Sequence, residues 1–347
     1  MSGSDVTRGG VEGGRPGRDA LTGATTGRRR RRRGRGEQLM VPEARFSSYY
    51  GKPILNRPTW SALDIAGYLY LGGLAGASSL LAAGAYATGR PALARTAKLG
   101  AAGAISLSLA ALVHDLGRPA RFINMLRVFK PTSPMSVGSW LLAGYAPLTM
   151  AAAATDVARR YRLVGATATA GAAVLGPAVA TYTAVLLADT AVPSWHEGYR
   201  EMPFVFAGSG ASAAAGLALA CTPAGQTEPA RRMAVLGAAL ELCAFRVMKR
   251  RMGLAAEPYG QGGPGRLLRS AEALTAGGAA LAVLAGRGAG RRVGGRGNGL
   301  LTAAAGAALM AGSAALRFGV FHAGVASAED PKYTVVPQRE RLEQRSG

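Results

Sequence analysis

Long uncharged stretches limit what this chain can fold into. Residues 163–188 contain no Asp, Glu, Lys or Arg, and residues 62–88 contain only Asp64. At 1.5 Å rise per residue, about 20 apolar residues cross the roughly 30 Å hydrocarbon core of a bilayer. A helix is the expected element, because it satisfies its own backbone hydrogen bonds in lipid. The sequence therefore predicts an all-α polytopic membrane protein.

Eight stretches of this kind predict about eight transmembrane helices. Of the 347 residues, 49% are hydrophobic and 17% are charged, and the apolar residues come in blocks. The predicted spans cover roughly residues 60–87, 93–114, 137–155, 163–188, 203–221, 230–250, 266–286 and 299–322. The last two are rich in Ala and Gly, and such small residues let membrane helices approach closely.

The ends of the chain differ from this membrane domain. We predict that residues 1–45 are a disordered, Arg-rich tail, because they contain the run Arg28 to Arg33 and few apolar residues. No apolar segment typical of a cleavable signal peptide accompanies that run, which favours binding to anionic lipid over a twin-arginine signal. Residues 46–325 form the predicted membrane domain and residues 326–347 a polar tail. The net charge of +22 therefore suggests membrane interfaces and not nucleic acid.

Cysteine and histidine are too few for the usual redox centres. Cys221 and Cys243 lie in predicted spans without a CxxC motif, so we expect buried, inert thiols. His114 and His322 lie at span ends and His196 in a loop, whereas a membrane haem usually needs facing histidines within spans. We expect no haem, iron–sulfur cluster or other metal site in this chain.

A polar stripe runs along the first predicted span. Asp64, Tyr68, Gly72 and Ser79 share one helix face, which should point into the bundle. Ionisable groups in spans are costly and usually serve a function, and we favour such a role for Asp64 and for Tyr182 in the fourth span.

Two further ionisable residues lie in later spans, Glu241 in the sixth and Arg317 in the eighth. A structural ion pair or a side chain reaching the interface would explain them. A proton path through the membrane is the alternative, and the sequence leaves both open.

One charged connection interrupts the apolar blocks at residues 112–140, "LVHDLGRPARFINMLRVFKPTSPMSVGSW". With the preceding "YYGKPILNRPTW" and "YLYLGGLAGASSLLA", and with "TYTAVLLADTAVPSW" at 181–195, it resembles the NrfD/PsrC family. These are membrane subunits of polysulfide-reductase-like molybdopterin oxidoreductases. The resemblance runs from about Tyr49 to His322.

The resemblance implies eight helices in two four-helix bundles and a subunit without a catalytic centre of its own. Such a subunit exchanges electrons with a membrane quinone, menaquinone or ubiquinone, and docks a ferredoxin-like iron–sulfur subunit. That subunit contacts a molybdopterin catalytic subunit, which we expect to be formate-dehydrogenase-like or polysulfide-reductase-like.

The resemblance also implies a quinone site near the ends of spans one and four. Tyr182 matches the quinone-binding tyrosine of the family, and Asp64 is nearest to its polar ligand in span one. Tyr68 shares the face of Asp64, and His114 ends span two on the same side.

A docking surface should lie at that same end. With an even number of spans, the N-terminus and the loops after spans two, four and six share one side. The residues expected to meet an acidic iron–sulfur partner, or alternatively lipid phosphate, are Arg118, Arg121, Arg127, Lys130, Trp195 and His196.

We expect this protein in the plasma membrane with its N-terminal tail in the cytoplasm, because six consecutive arginines resist translocation. Loops on the other side are also basic, so the positive-inside rule does not give a single orientation.

Two rival functions remain. A secondary transporter would line its path with Asp64, Glu241 and Arg317 and would need no redox partner. A purely structural anchor would carry no quinone site, and Tyr182 would be dispensable for electron transfer.

Overall fold

The computed structural model describes residues 5–7, 10–12, 54–117, 120–290 and 295–346. Contacts divide the chain into two compact units. One comprises Pro58–Ser327, and the other combines Met1–Arg57 with Ala328–Gly347.

The described residues of the first unit form helices joined by short loops and turns. Its helices are α1 (Ala62–Ala87), α2 (Pro91–Asp115), α3 (Ala120–Met125), α4 (Pro134–Ala158), α5 (Arg162–Ala188), α6 (Pro193–His196), α7 (Met202–Cys221), α8 (Glu228–Arg251), α9 (Glu257–Gly260), α10 (Gly262–Gly290) and α11 (Gly295–Glu329). Two short 3-10 turns cover Ala224–Gln226 and Gly253–Ala256. Within the described residues, seven helices are long and apolar enough to cross a membrane, which confirms the polytopic helical fold.

The predicted sixth span is less apolar than the other seven. It corresponds to α8, which has 24 residues and so measures about 36 Å, but which carries charges at both ends and Glu241 inside. One face of α8 is buried against α7, where a Cβ added to Gly237 would lie 2.9 Å from the carbonyl oxygen of Gly208. A long helix thus forms here, with its interior face closely packed.

Close glycine contacts organise the long helices into two groups of four. In the first group (α1, α2, α4, α5), α1 crosses α5 at Gly76, where a Cβ would lie 3.0 Å from the backbone nitrogen of Ala180. In the second group (α7, α8, α10, α11), a Cβ on Gly216 would lie 2.6 Å from the oxygen of Gly306. Helix α1 also meets α7, at Gly210. The two predicted four-helix bundles are present.

The helices alternate in direction, which gives the first unit two ends. The Asp64 end holds the start of α1, the end of α2 and the loop after α5, since Trp60 stacks on Trp195 at a centroid distance of 5.9 Å. The opposite end, named here the Asp156 end, holds Asp156 and the contact from the backbone nitrogen of Ala92 to Gln226 Oε1 at 2.9 Å. The loops after the even-numbered spans therefore lie at the same end, as predicted.

The second unit contains a short hairpin and a helix. Strand β1 (Asp5–Thr7) pairs antiparallel with β2 (Gly10–Glu12). Helix α12 (Lys332–Ser346) occupies the predicted polar tail, and Arg57 Nε forms an ion pair with Glu329 at 3.1 Å. The remainder of the predicted disordered tail, including Arg28 to Arg33, lies outside the described residues.

Candidate functional site

The first turn of α1 holds Asp64. Ser61 precedes the helix in extended conformation, and its Oγ accepts a hydrogen bond from the backbone nitrogen of Asp64 at 3.4 Å. A carboxylate in the first turn also interacts favourably with the helix dipole. The helix start therefore fixes Asp64 at the Asp64 end, with 15% of its side chain exposed.

His114 lies beside that carboxylate, at the end of α2. Its Nδ1 is 3.1 Å from both Oδ1 and Oδ2 of Asp64. The His114 side chain is 79% exposed, so the imidazole faces solvent while contacting a largely buried acid. The contact therefore joins a solvent-facing imidazole to a carboxylate inside the bundle.

Two tyrosines meet one turn deeper. Tyr68 is buried, and its ring lies edge-on to the ring of Tyr182 with centroids 6.4 Å apart. The hydroxyl of Tyr182 is buried and has no hydrogen-bond partner among the described residues. Such an unsatisfied hydroxyl costs about 1–3 kcal/mol, so Tyr182 has a free hydrogen bond to offer a ligand.

Gly138 in α4 makes room for Tyr182. A Cβ at Gly138 would lie 2.8 Å from Cδ2 of Tyr182 and closer still to Cε2. The glycine belongs to the quoted "MSVGSW" segment, but the sequence does not reveal that a tyrosine some 44 positions later rests on it. Asp64, Tyr68, His114 and Tyr182 are therefore brought to one end of one bundle, and Gly138 is an addition that sequence reasoning missed.

The loop between α2 and α4 presents basic and apolar side chains together. Arg127 and Lys130 are exposed and flank Val128 and Phe129, which are 68% and 58% exposed. Arg121 is also exposed and donates from Nη1 to the oxygen of Leu116 at 3.1 Å.

The other predicted docking residues differ in their exposure. Arg118 lies outside the described residues. His196 is exposed, and its Nδ1 lies 3.0 Å from the oxygen of Ala188. Trp195 was predicted to lie on the docking surface, but it is fully buried and its Nε1 donates to the oxygen of Val320 at 2.9 Å. Trp195 packs the loop onto the bundle and offers no surface to a partner.

Glu241 and Arg317 are both fully buried in the second bundle, so Arg317 does not reach the interface. Thr275 donates to Glu241 Oε1 at 3.0 Å, and Arg317 Nη2 donates to the oxygen of Phe206 at 2.8 Å. No direct ion pair joins them within the described part of the chain, and Glu241 Oε2 and Arg317 Nε and Nη1 have no hydrogen-bond partner there. The structural ion pair is thus not formed as a direct contact.

The thiols also differ from expectation. Cys221 and Cys243 are free and exposed on the helix surface, so neither is buried. No group of three or more His, Cys, Asp or Glu side chains is placed to hold a metal ion in the part of the chain that the structure describes.

Fold and site together define a class, a helical multi-pass membrane protein with acid, imidazole and phenol groups gathered at one bundle end. Residues 54–259, more than half of the chain, match the family model described as polysulphide reductase, NrfD. The chain belongs to the NrfD family. No curated protein sequence matches it. Members of this family are quinone-interacting membrane subunits, and they generally partner with iron–sulfur and molybdopterin subunits.

Proposed function

We propose that this chain is the quinone-reactive anchor of a molybdopterin and iron–sulfur oxidoreductase complex, with its quinone site at the Asp64 end. The observation that carries the proposal is the buried hydroxyl of Tyr182, which lacks a partner among the described residues although its ring is fixed. A quinone carbonyl would accept its hydrogen bond.

The groups around Tyr182 suit a lipid-soluble quinone, which carries two electrons together with two protons. Tyr68 and Gly138 hold the Tyr182 ring from two sides. Asp64 and His114 form a proton-exchanging pair one turn nearer the surface. The chain's residues thus bind and orient the headgroup and handle its protons, while electrons come from the iron–sulfur partner.

The exposed loop with Arg121, Arg127 and Lys130 is the proposed contact for that partner, because ferredoxin-like surfaces are acidic. The catalytic subunit beyond it is formate-dehydrogenase-like or polysulfide-reductase-like. We place the complex in the plasma membrane with the Asp64 end toward the cytoplasm, on the ground that the six-arginine tail resists translocation.

The direct test is Tyr182→Phe in the assembled complex, since this change deletes only the hydroxyl. Quinone-linked turnover should fall about tenfold, which corresponds to losing about 1.4 kcal/mol, while activity with an artificial dye stays normal. Tyr161→Phe, at an exposed position of the Asp156 end, is the matched control and should change neither. Unchanged quinone turnover in the Tyr182→Phe complex would reject the site. A transporter would instead work without the iron–sulfur partner.

A further inference from the structure

The outer face of α8 is apolar in its middle and carries arginines at both ends. Between Arg232 and Arg246, both exposed, the other exposed positions recur with helical spacing. They are Val235, Leu236, Ala239, Leu240 and Cys243. The interval from Arg232 to Arg246 is about 21 Å along the helix, shorter than the roughly 30 Å hydrocarbon core of a bilayer. An arginine at the edge of so short a face must therefore reach toward the phosphate layer.

The arginines at the two ends of this face differ in their partners. Arg232 forms an ion pair with Glu228, one turn earlier in the same helix. Arg246 and Arg250 are exposed, and no hydrogen bond or ion pair joins either of them to the residues that the structure describes. The Asp64 end of α8 thus presents two guanidinium groups without an acidic partner.

The acidic side chains beside this end of α8 are already engaged. Lys249 Nζ lies 2.7 Å from Glu272 Oε1, and Arg251 Nε lies 2.7 Å from Glu201 Oε1. These two basic residues belong to the same turns of α8 as the two free arginines. The charge of the free arginines therefore calls for an anion from outside the chain.

The spacing of Arg246 and Arg250 suits two phosphate groups. Residues four apart share one helix face, with their Cβ atoms about 5–6 Å from each other. A guanidinium can bind a phosphate through two parallel hydrogen bonds, so each arginine can hold one phosphate.

The surroundings of the pair favour a lipid over a soluble protein. Val247, next to Arg246, is 53% exposed, and Cys243, one turn deeper, is exposed on the same face. A phospholipid supplies phosphate to the arginines and acyl chains to this apolar surface, whereas a soluble acidic surface would leave the apolar side chains uncovered. Basic groups at the ends of membrane helices are a known setting for phospholipid headgroups.

We propose that Arg246 and Arg250 bind an anionic phospholipid with two phosphate groups, a diphosphatidylglycerol, at the Asp64 end of α8. Each guanidinium binds one phosphate, and the acyl chains lie along the apolar outer face of the helix. The inference does not depend on the proposed quinone site, which lies in the first bundle.

The test uses the delipidated full-length chain in a neutral detergent, with bound lipid counted by native mass spectrometry. Diphosphatidylglycerol, phosphatidylglycerol and phosphatidylcholine are titrated in turn. The wild type should bind one diphosphatidylglycerol more tightly than either other lipid. Arg246→Gln with Arg250→Gln should weaken this binding by at least about tenfold, as expected from losing charge-assisted hydrogen bonds.

A second double variant controls for charge alone. Arg159→Gln with Arg160→Gln removes two exposed arginines at the Asp156 end and should bind the lipid as the wild type does. The unfolding temperature without lipid, measured for both double variants, checks that the changes leave the fold intact, which is expected because all four positions are exposed.

Equal weakening in the two double variants would overturn the proposal, because binding would then follow net charge and not this site. Unchanged diphosphatidylglycerol binding in the Arg246 and Arg250 variant would overturn it too, and loss of the iron–sulfur partner by that variant would then make this a protein-docking surface. Competition by inorganic phosphate, or equal affinity for phosphatidylglycerol, would contradict a lipid site built for two phosphates.

Discussion

The ring of Tyr182 occupies the space that a side chain at Gly138 would need, with a Cβ there falling 2.8 Å from Cδ2 of the tyrosine. Helix α4 thus supplies a flat surface on which the phenol of α5 is held. The hydroxyl that this contact fixes is the one without a partner among the described residues. The position of the proposed quinone ligand therefore depends on a glycine in the neighbouring helix.

Gly138→Ala should consequently push the Tyr182 ring aside and lower quinone-linked turnover severalfold, although Ala favours a helix over Gly by about 1 kcal/mol. Gly144→Ala in the same helix is the control, because its Cβ would meet Leu175 at an ordinary 3.6 Å. Turnover with quinone and with dye, measured on both assembled variants, separates the two. Equal quinone turnover in both would mean that the position of Tyr182 is unimportant.

Charge reversal in the loop before α4 should release the iron–sulfur partner. Arg127→Glu with Lys130→Glu replaces two exposed positive charges by negative ones, which an acidic partner would repel. Membranes washed at moderate salt should keep this chain and lose the partner. Arg160→Glu, exposed at the Asp156 end, should retain both. Retention of the partner by the double variant would locate docking elsewhere.

An ion pair ties the loop after α5 to the end of α8. Arg251 donates from Nε and Nη2 to the two oxygens of Glu201, each at 2.7 Å, and Nη2 also contacts the oxygen of Glu197. The hydrogen bonds from Arg251 lower the pKa of Glu201 below its ordinary value. A depressed acid pKa contributes stability that is present above the unfolded value and is lost as pH falls through the folded one.

Glu201→Gln should therefore lower the unfolding temperature of the detergent-solubilised protein at neutral pH, and the difference from wild type should shrink as the buffer is taken well below pH 4.5. Arg250→Met, at the exposed neighbouring position, should have little effect. A difference that is constant from neutral to acid pH would show that this ion pair does not stabilise the fold.

Labelling of the native cysteines can determine the orientation of the chain in the membrane. Cys221 ends α7 at the Asp156 end and is exposed, whereas Cys243 lies within α8. If the N-terminal tail is cytoplasmic, a membrane-impermeant maleimide should label Cys221 from outside intact cells, and Cys221→Ser should remove the label. Labelling only after the cells are permeabilised would place the tail outside.

The sequence predicts the helices well because apolar length is a local property. The Ser61-x-x-Asp64 spacing is likewise a local helix-start signal. Lys98 was also visible as an ionisable residue within the second predicted span, although sequence reasoning did not single it out. Its partner Asp156 is 58 positions away, and only the packing of α2 against α4 joins them.

Contacts made by tertiary packing could not be predicted in this way. Trp195 stands in a polar loop, which suggests exposure, yet the short helix α6 turns it inward onto Trp60 and Val320. Gly138 looks like any small residue of a membrane helix until the ring of Tyr182 is placed against it. Both outcomes depend on how helices distant in sequence approach each other.

The most direct test of the quinone site is photolabelling of the assembled complex in membranes with an azido-quinone, followed by peptide mass spectrometry. The label should appear on α1 near Tyr68 and on α5 near Tyr182, and excess unmodified quinone should remove it. The Tyr182→Phe complex should need a higher analogue concentration for the same labelling. Competable labelling confined to the second bundle, around Glu241 and Arg317, would contradict a site at the Asp64 end.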